Sequence, residues 1–438
     1  MAVFRFSRLD VGLTVLGLGA LVLDIVLDVR TAVELYQEGD ILRLSVLLLL
    51  LVSSSLLVQS YSWLWYSYDG FHRDTRVEQA LSLRTLRILH CLQLGTYLRH
   101  LGVLELAVGH VFCGTDQRDL SVFLSHDVAM LRLVEAFSES LPQLVLMLST
   151  SIHRGELHLW PGLKAAASAL CVSFTVLSYH RSLRSFLPDK QKQSVLSSLV
   201  FLVWNLLLLV SRVSALSLVM SSWPCLSLVH VLCSWLVLSG CAWFCRTAFM
   251  SSPGGELLYR GTVGLIWYFT WFNVVEGKTF LRTALYHVYQ LLDISLLCSV
   301  WVWTRELQTQ DLLLSLAVLV TYNVGLMVKG LYYRCLHPNL RVQDQVDSGL
   351  RTLAEVGDQV DSGLRTLAEV GDQVDSGLGT LAEVGDQVDS GLGTLAEVGD
   401  QVDSGLRTLA EVGDQVDSGL GTRTMNHRMR KLARNFYS

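Results

Sequence analysis

The chain has 438 residues, of which 51% are hydrophobic and only 17% are charged, and its mean hydropathy is +0.42. A soluble domain carries roughly 25% charged residues, so this composition excludes a chain built of soluble domains. Residues 344–420 hold seventeen acids and three arginines, a net charge of −14, which leaves about +9 on the other 361 residues. A basic membrane protein with an acidic appendage is predicted.

Apolar segments long enough, or nearly long enough, to cross a bilayer recur through the first 335 residues. In chain order they lie near 11–29, 41–65, 84–112, 120–150, 158–179, 195–217, 225–246, 257–275, 284–303 and 311–333. No small-residue cleavage site follows the first one, so we expect it to be retained as a span rather than removed as a signal. These segments predict an all-α polytopic membrane protein.

Two of the ten segments, 84–112 and 120–150, are too polar to face lipid along their whole length. Their polar residues are His90, Arg99, His100, Glu105, Asp127, Arg132, Glu135 and Glu139. Lipid offers these groups no hydrogen-bond partner, so such segments either enter the membrane only halfway or pack wholly inside the bundle. Eight to ten crossings are therefore expected.

Basic residues mark one side of the predicted membrane. Arg5 and Arg8 precede the first segment, and "HRSLRSFLPDKQK" follows the fifth, whereas "VMSSWPC" at 219–225 carries no charge. Lys and Arg are enriched in cytoplasmic loops, so the N-terminus is predicted to be cytoplasmic. An even number of crossings then puts the C-terminal tail on the same side.

A 14-residue unit, "DQVDSGLRTLAEVG", repeats almost without variation from Asp344. Fourteen residues make two heptads, but two glycines per unit and strong negative charge oppose a stable coiled coil. A cytoplasmic, largely disordered repeat tail is favoured over a weak coiled coil. The chain thus divides into a membrane domain at 1–343, an acidic repeat tract at 344–420 and a basic segment at 421–438.

Charged residues occur where a membrane protein should have none. Asp10, Asp24 and Asp28 fall within about 40° on one face of the first helix, and Arg132, Glu135 and Glu139 form a stripe on another. A charge at the bilayer centre costs about 2.5–3.5 kcal/mol on insertion scales, so these groups should face one another or water. Further polar residues in apolar runs are Arg212, Tyr286, Gln290, Asp293, Asn323 and Lys329.

Two interpretations of these charges stay open. They could form buried ion pairs, such as Asp24 or Asp28 with Arg132 or Arg212, that hold helices in register. They could instead line a hydrophilic path through or along the bundle. Six acids against three bases cannot all be paired, so a path used by a substrate is favoured.

Other chemistry finds little support in the sequence. No serine-hydrolase, zinc-protease, nucleotide-binding or dinucleotide motif occurs, and no pattern predicts a metal, a cofactor or nucleic-acid binding, so we expect no enzyme. The nine cysteines lack metal-site spacing and lie mostly in apolar segments, and we expect them to be buried small hydrophobes rather than disulfides. No Asn-x-Ser/Thr sequon is present, so no N-glycan is expected.

Several stretches resemble the XK-related family of membrane proteins. They include "LDIVLDV" in the first segment, "VEAFSESLPQLVLML" at 134–148, "VWNLLLLVSRV" at 203–213, "LLYRGTVGLIWYFTWFNVVEGKT" at 257–279 and "LYYRCLHP" at 331–338. The likeness covers residues 1–343 and the final "NHRMRKLARNFY"; the repeat array departs from the family pattern, in which a single DQVD-type site occurs.

The resemblance implies a phospholipid scramblase of the plasma membrane, with both termini cytoplasmic, that moves lipids between leaflets without ATP and exposes phosphatidylserine in apoptosis. It also implies about eight transmembrane helices plus two half-membrane helices, and a single-span immunoglobulin-type glycoprotein partner such as basigin or neuroplastin. The expected lipid path consists of Asp10, Asp24, Asp28, Arg132, Glu135, Glu139, Arg212, Asp293 and Lys329. A solute transporter or channel using the same charges, and a scaffold protein with a binding array, are the alternatives.

Given this resemblance, the repeat tract is interpreted as a site at which proteolytic cleavage activates the protein. Executioner caspases cut after Asp, favour Asp three residues before it and accept a small residue next, and "DQVD" followed by Ser fits all three. The predicted cuts follow Asp347, Asp361, Asp375, Asp389, Asp403 and Asp417. The expected inhibitory element is the basic end, with Arg428, Arg430, Lys431, Arg434 and Phe436; its alternative is a basic helix resting on anionic lipid.

Overall fold

A computed structural model describes residues 8–113, 118–155, 159–186, 193–245, 247, 249–274, 280–305 and 308–336. Over these ranges the chain is α-helical without a β-strand. The helices are α1 (Arg8–Gln37), α2 (Ile41–Tyr68), α3 (Arg76–Gln79), α4 (Leu83–Cys91), α5 (Gly95–Cys113), α6 (Arg118–Glu135), α7 (Leu141–Arg154), α8 (Leu159–Phe186), α9 (Val195–Ser222), α10 (Pro224–Phe244), α11 (Pro253–Phe269), α12 (Phe280–Thr304) and α13 (Thr309–Leu331). Single π-turns, Ala136–Ser140 and Tyr332–Leu336, follow α6 and α13.

Within the described ranges, six stretches are long and apolar enough to cross a membrane: Ile41–Tyr68, Gly162–Arg184, Val195–Ser222, Pro224–Phe244, Phe280–Thr304 and Thr309–Leu336. The protein is therefore an all-α polytopic membrane protein, as the sequence predicts. The total number of crossings and the side on which each terminus lies remain predictions.

Helix α9 lies at the centre of the described bundle. It packs against α7, α8, α10, α12 and α13, and its buried residues run along its whole length. Serine hydroxyls on α9 bond to neighbouring helices, and Ser211 donates to the carbonyl of Val318 in α13 at 2.8 Å. Such bonds hold helices together where the hydrophobic effect cannot, because lipid is as apolar as the helix faces.

The two overly polar segments take different forms. Segment 84–112 breaks at Gln93, whose φ of 64° ends α4 and lets α5 begin at Gly95. Helix α4 has 9 residues and measures about 13 Å, too short to cross a bilayer. Segment 120–150 is instead part of one helical run from 118 to 154, and Met130, Leu133 and Phe137 in it are at most 1% exposed. That run packs inside the bundle, the second of the two predicted alternatives.

Segment 257–275, predicted as one more helical span, is only partly helical. Helix α11 has 17 residues and ends at Phe269; the backbone of the next residue, Thr270, is extended, and no helix continues over 270–274. Trp267, Tyr268 and Phe269 at its end are at most 5% exposed. A helix that ends among buried residues needs donors for its last carbonyl groups, and these come from α9 and α12, as described below.

The expectation that the cysteines are buried is wrong. Of the eight cysteines whose side chains the structure describes, Cys298 alone is buried and six are exposed on the protein surface. The reason is that a hydrophobic segment of a membrane protein can turn its residues toward lipid as readily as toward the protein interior.

Candidate functional site

An acidic cluster joins α1 to the α6–α7 run. Carboxylate oxygens of Asp24, Glu135 and Glu139 lie within 4.8 Å of one another, and Asp28, 9% exposed, is an electrostatic neighbour of Glu139. Arg132 is the cation beside them, and its Nη1 donates to Glu135 at 2.9 Å. Asp24 and Asp28 of the first predicted stripe therefore meet the second stripe, and these four carboxylates face one guanidinium.

A π-turn at Ala136–Ser140 presents Glu139 to this cluster. Pro142 lacks the N–H that an α-helix would direct at the carbonyl of Ser138, and the N–H of Leu141 reaches back five residues to Ala136. A hydrogen bond to α2 stabilises the wider turn, since the hydroxyls of Ser54 and Ser138 lie 2.7 Å apart. π-Turns inside helices frequently mark functional sites, because they redirect side chains without ending the helix.

A cavity of about 510 Å³ opens beside the acidic cluster. One end is polar, with Asp28, Glu135 and Glu139. The wall is apolar and is formed by Leu21, Ile25, Val29 and Val33 of α1 with Leu44, Leu48 and Leu51 of α2. Ile25, Val29 and Leu48 are 40%, 60% and 46% exposed, so this wall reaches the surface that a bilayer covers. The cavity is amphipathic and open toward lipid.

The polar end accepts hydrogen bonds more than it donates them. Gln59 Nε2 of α2 donates to the carbonyl of Gln93 at 2.8 Å and to the hydroxyl of Thr96 at 3.0 Å. Its buried Oε1 has no partner in the described chain. His100 Nδ1 donates to the carbonyl of Thr96 at 3.0 Å, which leaves Nε2 of the neutral ring as another acceptor without a described partner. Together with the carboxylates, these atoms suit a ligand that carries N–H donors and positive charge.

A hard cation could use the same oxygens, since carboxylate and amide oxygens are the ligands such ions prefer. The sequence indicated the carboxylates and did not indicate Gln59, Gln93, Thr96 or Tyr97 as lining residues. The detectable signal was Gln59 itself, a carboxamide in an otherwise apolar segment.

Other polar residues of segments 84–112 and 120–150 tie helices together outside this cavity. Arg99 binds Asp127 at 2.9 Å and lies 4.0 Å over the ring of Tyr66, so α2, α5 and α6 meet at its guanidinium. Glu105 accepts from the backbone N–H groups of Arg76 and Val77, at 3.2 and 3.1 Å, and thereby anchors the start of α3. These groups match the structural interpretation of the membrane charges.

Arg212 and Asp293 form a second, separate group. Arg212 of α9 is 1% exposed and pairs with Asp293 of α12, whose other oxygen lies 3.1 Å from His230 Nε2. Arg212 Nε also donates at 3.1 Å to the carbonyl of Tyr268, at the end of α11. Gln290 donates to that carbonyl at 3.0 Å, so α9 and α12 supply the donors that the buried end of α11 requires.

The predicted pairing of Asp24 or Asp28 with Arg212 is therefore wrong. Arg212 pairs with Asp293, donates to the carbonyl of Tyr268 and lies 4.4 Å over the Tyr268 ring. None of these described partners belongs to the acidic cluster. Helix α9 turns this side chain toward α11 and α12, so Arg212 supplies a hydrogen-bond donor to the C-terminal end of α11. The structure brings together five of the nine predicted path residues and keeps Arg212 and Asp293 apart from them.

Lys329 of α13 belongs to a third group. Its Nζ lies 2.7 Å from His287 Nε2 and 4.9 Å from the ring centroid of Trp204, and His287 Nδ1 contacts the hydroxyl of Tyr322 at 2.9 Å. Asn323 disagrees with the expectation for intramembrane polar groups. It is exposed and donates to the carbonyl of Leu319 in its own helix, which satisfies an amide without any interhelical partner.

The remaining predicted site residues lie outside the described part of the chain. The side chain of Asp10 is one. The others are the six cleavage sites after Asp347, Asp361, Asp375, Asp389, Asp403 and Asp417, and the basic segment with Arg428, Arg430, Lys431, Arg434 and Phe436.

Comparison with known proteins gives the family. A sequence model of the XK-related protein family matches residues 12–338. The chain belongs to the XK-related family. It is 41% identical to XK-related protein 8 of Tetraodon nigroviridis over 77% of this chain and 86% of that protein. It is 36% identical to XK-related protein 8 of Pan troglodytes, over 80% and 90%, and 32% identical to XK-related protein 9 of Tetraodon nigroviridis, over 78% and 95%.

Proposed function

We propose that this protein is a phospholipid scramblase, which lets lipids exchange between leaflets in both directions without ATP. The observation that carries the proposal is the amphipathic cavity between α1, α2, α5 and α6, with a carboxylate-rich end and an apolar wall. Membership in the XK-related family supports it.

The physical obstacle in lipid exchange is the headgroup. A charged headgroup in hydrocarbon costs many kcal/mol when nothing replaces its hydration, whereas the acyl chains need no protection. The cavity would lower this cost because its acceptors replace water around the headgroup while the apolar wall stays open to the chains. Neither covalent chemistry nor a cofactor is required, so we propose a transporter of lipid and not an enzyme.

The chemistry of the polar end favours a primary ammonium group. Phosphatidylserine and phosphatidylethanolamine carry ammonium N–H donors. The carboxylates, Gln59 Oε1 and His100 Nε2 can accept hydrogen bonds from them. Arg132 is the cation available to a phosphate, and Glu135 already occupies one of its nitrogens. A channel for dissolved solutes would use the charges but would have no need of an apolar wall exposed to lipid.

Neutralising the acidic cluster tests the proposal. Purified protein is reconstituted into liposomes with fluorescent phosphatidylserine, and dithionite reports the fraction of probe that reaches the outer leaflet. Asp24→Asn with Asp28→Asn should slow exchange at least tenfold. The matched control is Glu34→Gln, which also replaces a carboxylate by an amide, six residues after Asp28 on α1. The Glu34 side chain is 41% exposed and pairs with Arg30. This control should exchange lipid as the wild type does.

Two outcomes would reject the proposal. The first is full exchange in the Asp24→Asn/Asp28→Asn variant when its amount in the vesicles equals that of the wild type. The second is release of an entrapped soluble dye at the rate of lipid exchange, which would favour a solute pathway.

We further propose that caspase cleavage within the repeat tract activates exchange by freeing the basic end. Five copies of the unit also contain Glu, at positions 355, 369, 383, 397 and 411, which offers a control that removes five acidic charges against six. The test variant changes all six predicted P1 aspartates to Asn, and the control changes the five glutamates to Gln. After an apoptotic trigger in cells lacking other scramblases, the control should expose phosphatidylserine and the test variant should not. Equal exposure by both would refute the switch.

A single-span immunoglobulin-type glycoprotein, basigin or neuroplastin, is the proposed partner for delivery to the plasma membrane. This chain carries no sequon of its own, so a glycan on the complex would come from the partner. Deleting each glycoprotein in turn and measuring surface biotinylation of the chain tests the proposal. Undiminished surface amounts without both would contradict it.

A further inference from the structure

Two cysteines stand one helical turn apart at the C-terminal end of α10. Cys241 is exposed, and Cys245 follows it as the residue that caps the helix, half-buried. Residues four apart lie on the same side of an α-helix, so the two thiols face in similar directions. Neither sulfur is in a disulfide.

The neighbours of these thiols mark a membrane boundary. Trp243 and Phe244 are 56% and 86% exposed, and the guanidinium of Arg260 lies 4.6 Å over the Trp243 ring. Arg282 is an electrostatic neighbour of Cys245. Exposed tryptophan and arginine gather where hydrocarbon gives way to headgroups, so the thiols lie at that depth. The distribution of basic residues predicts that this end of α10 is the cytoplasmic one.

We propose that Cys241 and then Cys245 are S-acylated, with a long-chain fatty acyl-CoA as donor. The cysteine sulfur attacks the thioester carbonyl, the bond from that carbon to the sulfur of coenzyme A breaks, and coenzyme A leaves as a thiol with the proton of the cysteine. A new thioester replaces the old one, and nothing is oxidised or reduced. Juxtamembrane cysteines are the usual acceptors of this modification.

The order of acylation follows from exposure. Cys241 is open to an approaching donor, whereas burial raises the pKa of Cys245, an effect that the nearby Arg282 opposes. The attached chains would lie along the outer face of α10, where Leu236 and Val237 are each 62% exposed. This modification does not depend on lipid exchange and would hold the end of α10 in its leaflet.

The same helix supplies matched controls. Cys233 is also exposed, but it lies eight residues, about 12 Å, further along α10 toward the membrane interior. Cys225 is exposed at the opposite end of the helix. Neither should accept an acyl group, because one is out of reach of the aqueous donor and the other lies on the opposite side of the membrane.

Acyl exchange on the full-length protein from cells tests the proposal. Free thiols are blocked, thioesters are cleaved with hydroxylamine, and each released thiol receives a polyethylene glycol tag that retards the protein on a gel. The wild type, Cys225→Ser and Cys233→Ser should show up to two hydroxylamine-dependent steps, each single Cys241→Ser or Cys245→Ser at most one, and the double variant none. A double variant with Ala in place of Ser should behave identically, which separates loss of the acceptor from misfolding.

Three results would overturn the proposal. One is a wild type without retarded bands in an extract where another acylated membrane protein shifts. The second is a double variant that keeps the wild-type bands. The third is loss of the bands in Cys225→Ser alone, or in Cys335→Ser alone, which removes the exposed cysteine of the π-turn after α13; either would place the acceptor elsewhere.

Discussion

The buried pair Arg212–Asp293 should be energetically coupled, and breaking either side of it should destabilise the protein more than removing both. Arg212→Met leaves the Asp293 carboxylate, 10% exposed, with His230 as its neighbour. Removing one partner of a buried ion pair costs about 3–5 kcal/mol, because the other charge stays buried without compensation. Asp293→Leu should cost a similar amount, since Arg212 is 1% exposed.

The double variant Arg212→Met/Asp293→Leu should recover most of that loss. Replacement of a buried pair by apolar residues of similar size is often neutral or stabilising. The end of α11 also keeps a donor, because Gln290 Nε2 still binds the carbonyl of Tyr268 at 3.0 Å. The coupling between the two substitutions should therefore reach about 3 kcal/mol or more, well above the few tenths seen for independent sites.

Fluorescence-detected gel filtration after heating measures the effect in detergent extracts. Both single variants should lose the monodisperse peak at temperatures many degrees below that of the wild type. The double variant should lose it within a few degrees of the wild-type temperature. The control is Arg30→Met, which breaks a pair with Glu34 in which both side chains are exposed, 57% and 41%, and which should cost at most about 1 kcal/mol. A double variant no more stable than the weaker single variant would refute the reasoning, because it would show that the charges do not compensate each other.

Three more outcomes are expected. Gly264→Ala should destabilise the protein by about 1–3 kcal/mol, since the added Cβ would lie 2.8 Å from the backbone nitrogen of Ser239 in α10; Gly240→Ala, which meets nothing within 4 Å, should melt as the wild type does. Pro142→Ala restores an N–H for the carbonyl of Ser138, so the π-turn should tighten and draw Glu139 away from the cavity, lowering the rate of lipid exchange in liposomes while the melting temperature stays unchanged or rises. Asp347→Asn alone should leave activation intact on an apoptotic trigger, because cuts after the five later P1 residues still release the basic end; a complete block by this one substitution, read as absent surface phosphatidylserine, would contradict the redundancy.

Features that depend on one helix were accessible from the sequence. The stripe of Arg132, Glu135 and Glu139 was predictable because its spacing alone puts the three side chains on one face, and the structure keeps it through a π-turn. Most of the helices were predictable for the same reason, since runs of apolar residues of membrane length leave the backbone few alternatives. Helix α11 was misjudged, because hydropathy does not reveal that Arg212 and Gln290 can satisfy a helix end inside the protein.

The partners of each charge were settled by tertiary structure. Nothing in the spacing of Arg212 indicates that it faces Asp293 and Tyr268 instead of Asp24 or Asp28, because that depends on the rotation of α9 against the helices packed around it. The cavity wall and the outward-facing cysteines were equally undetermined. Hydropathy measures the gain from leaving water, and that gain is nearly the same whether a side chain enters lipid or the protein interior. Sequence alone thus determined that this chain folds as membrane helices with charged stripes, and only the packing of those helices decided which stripes form a site.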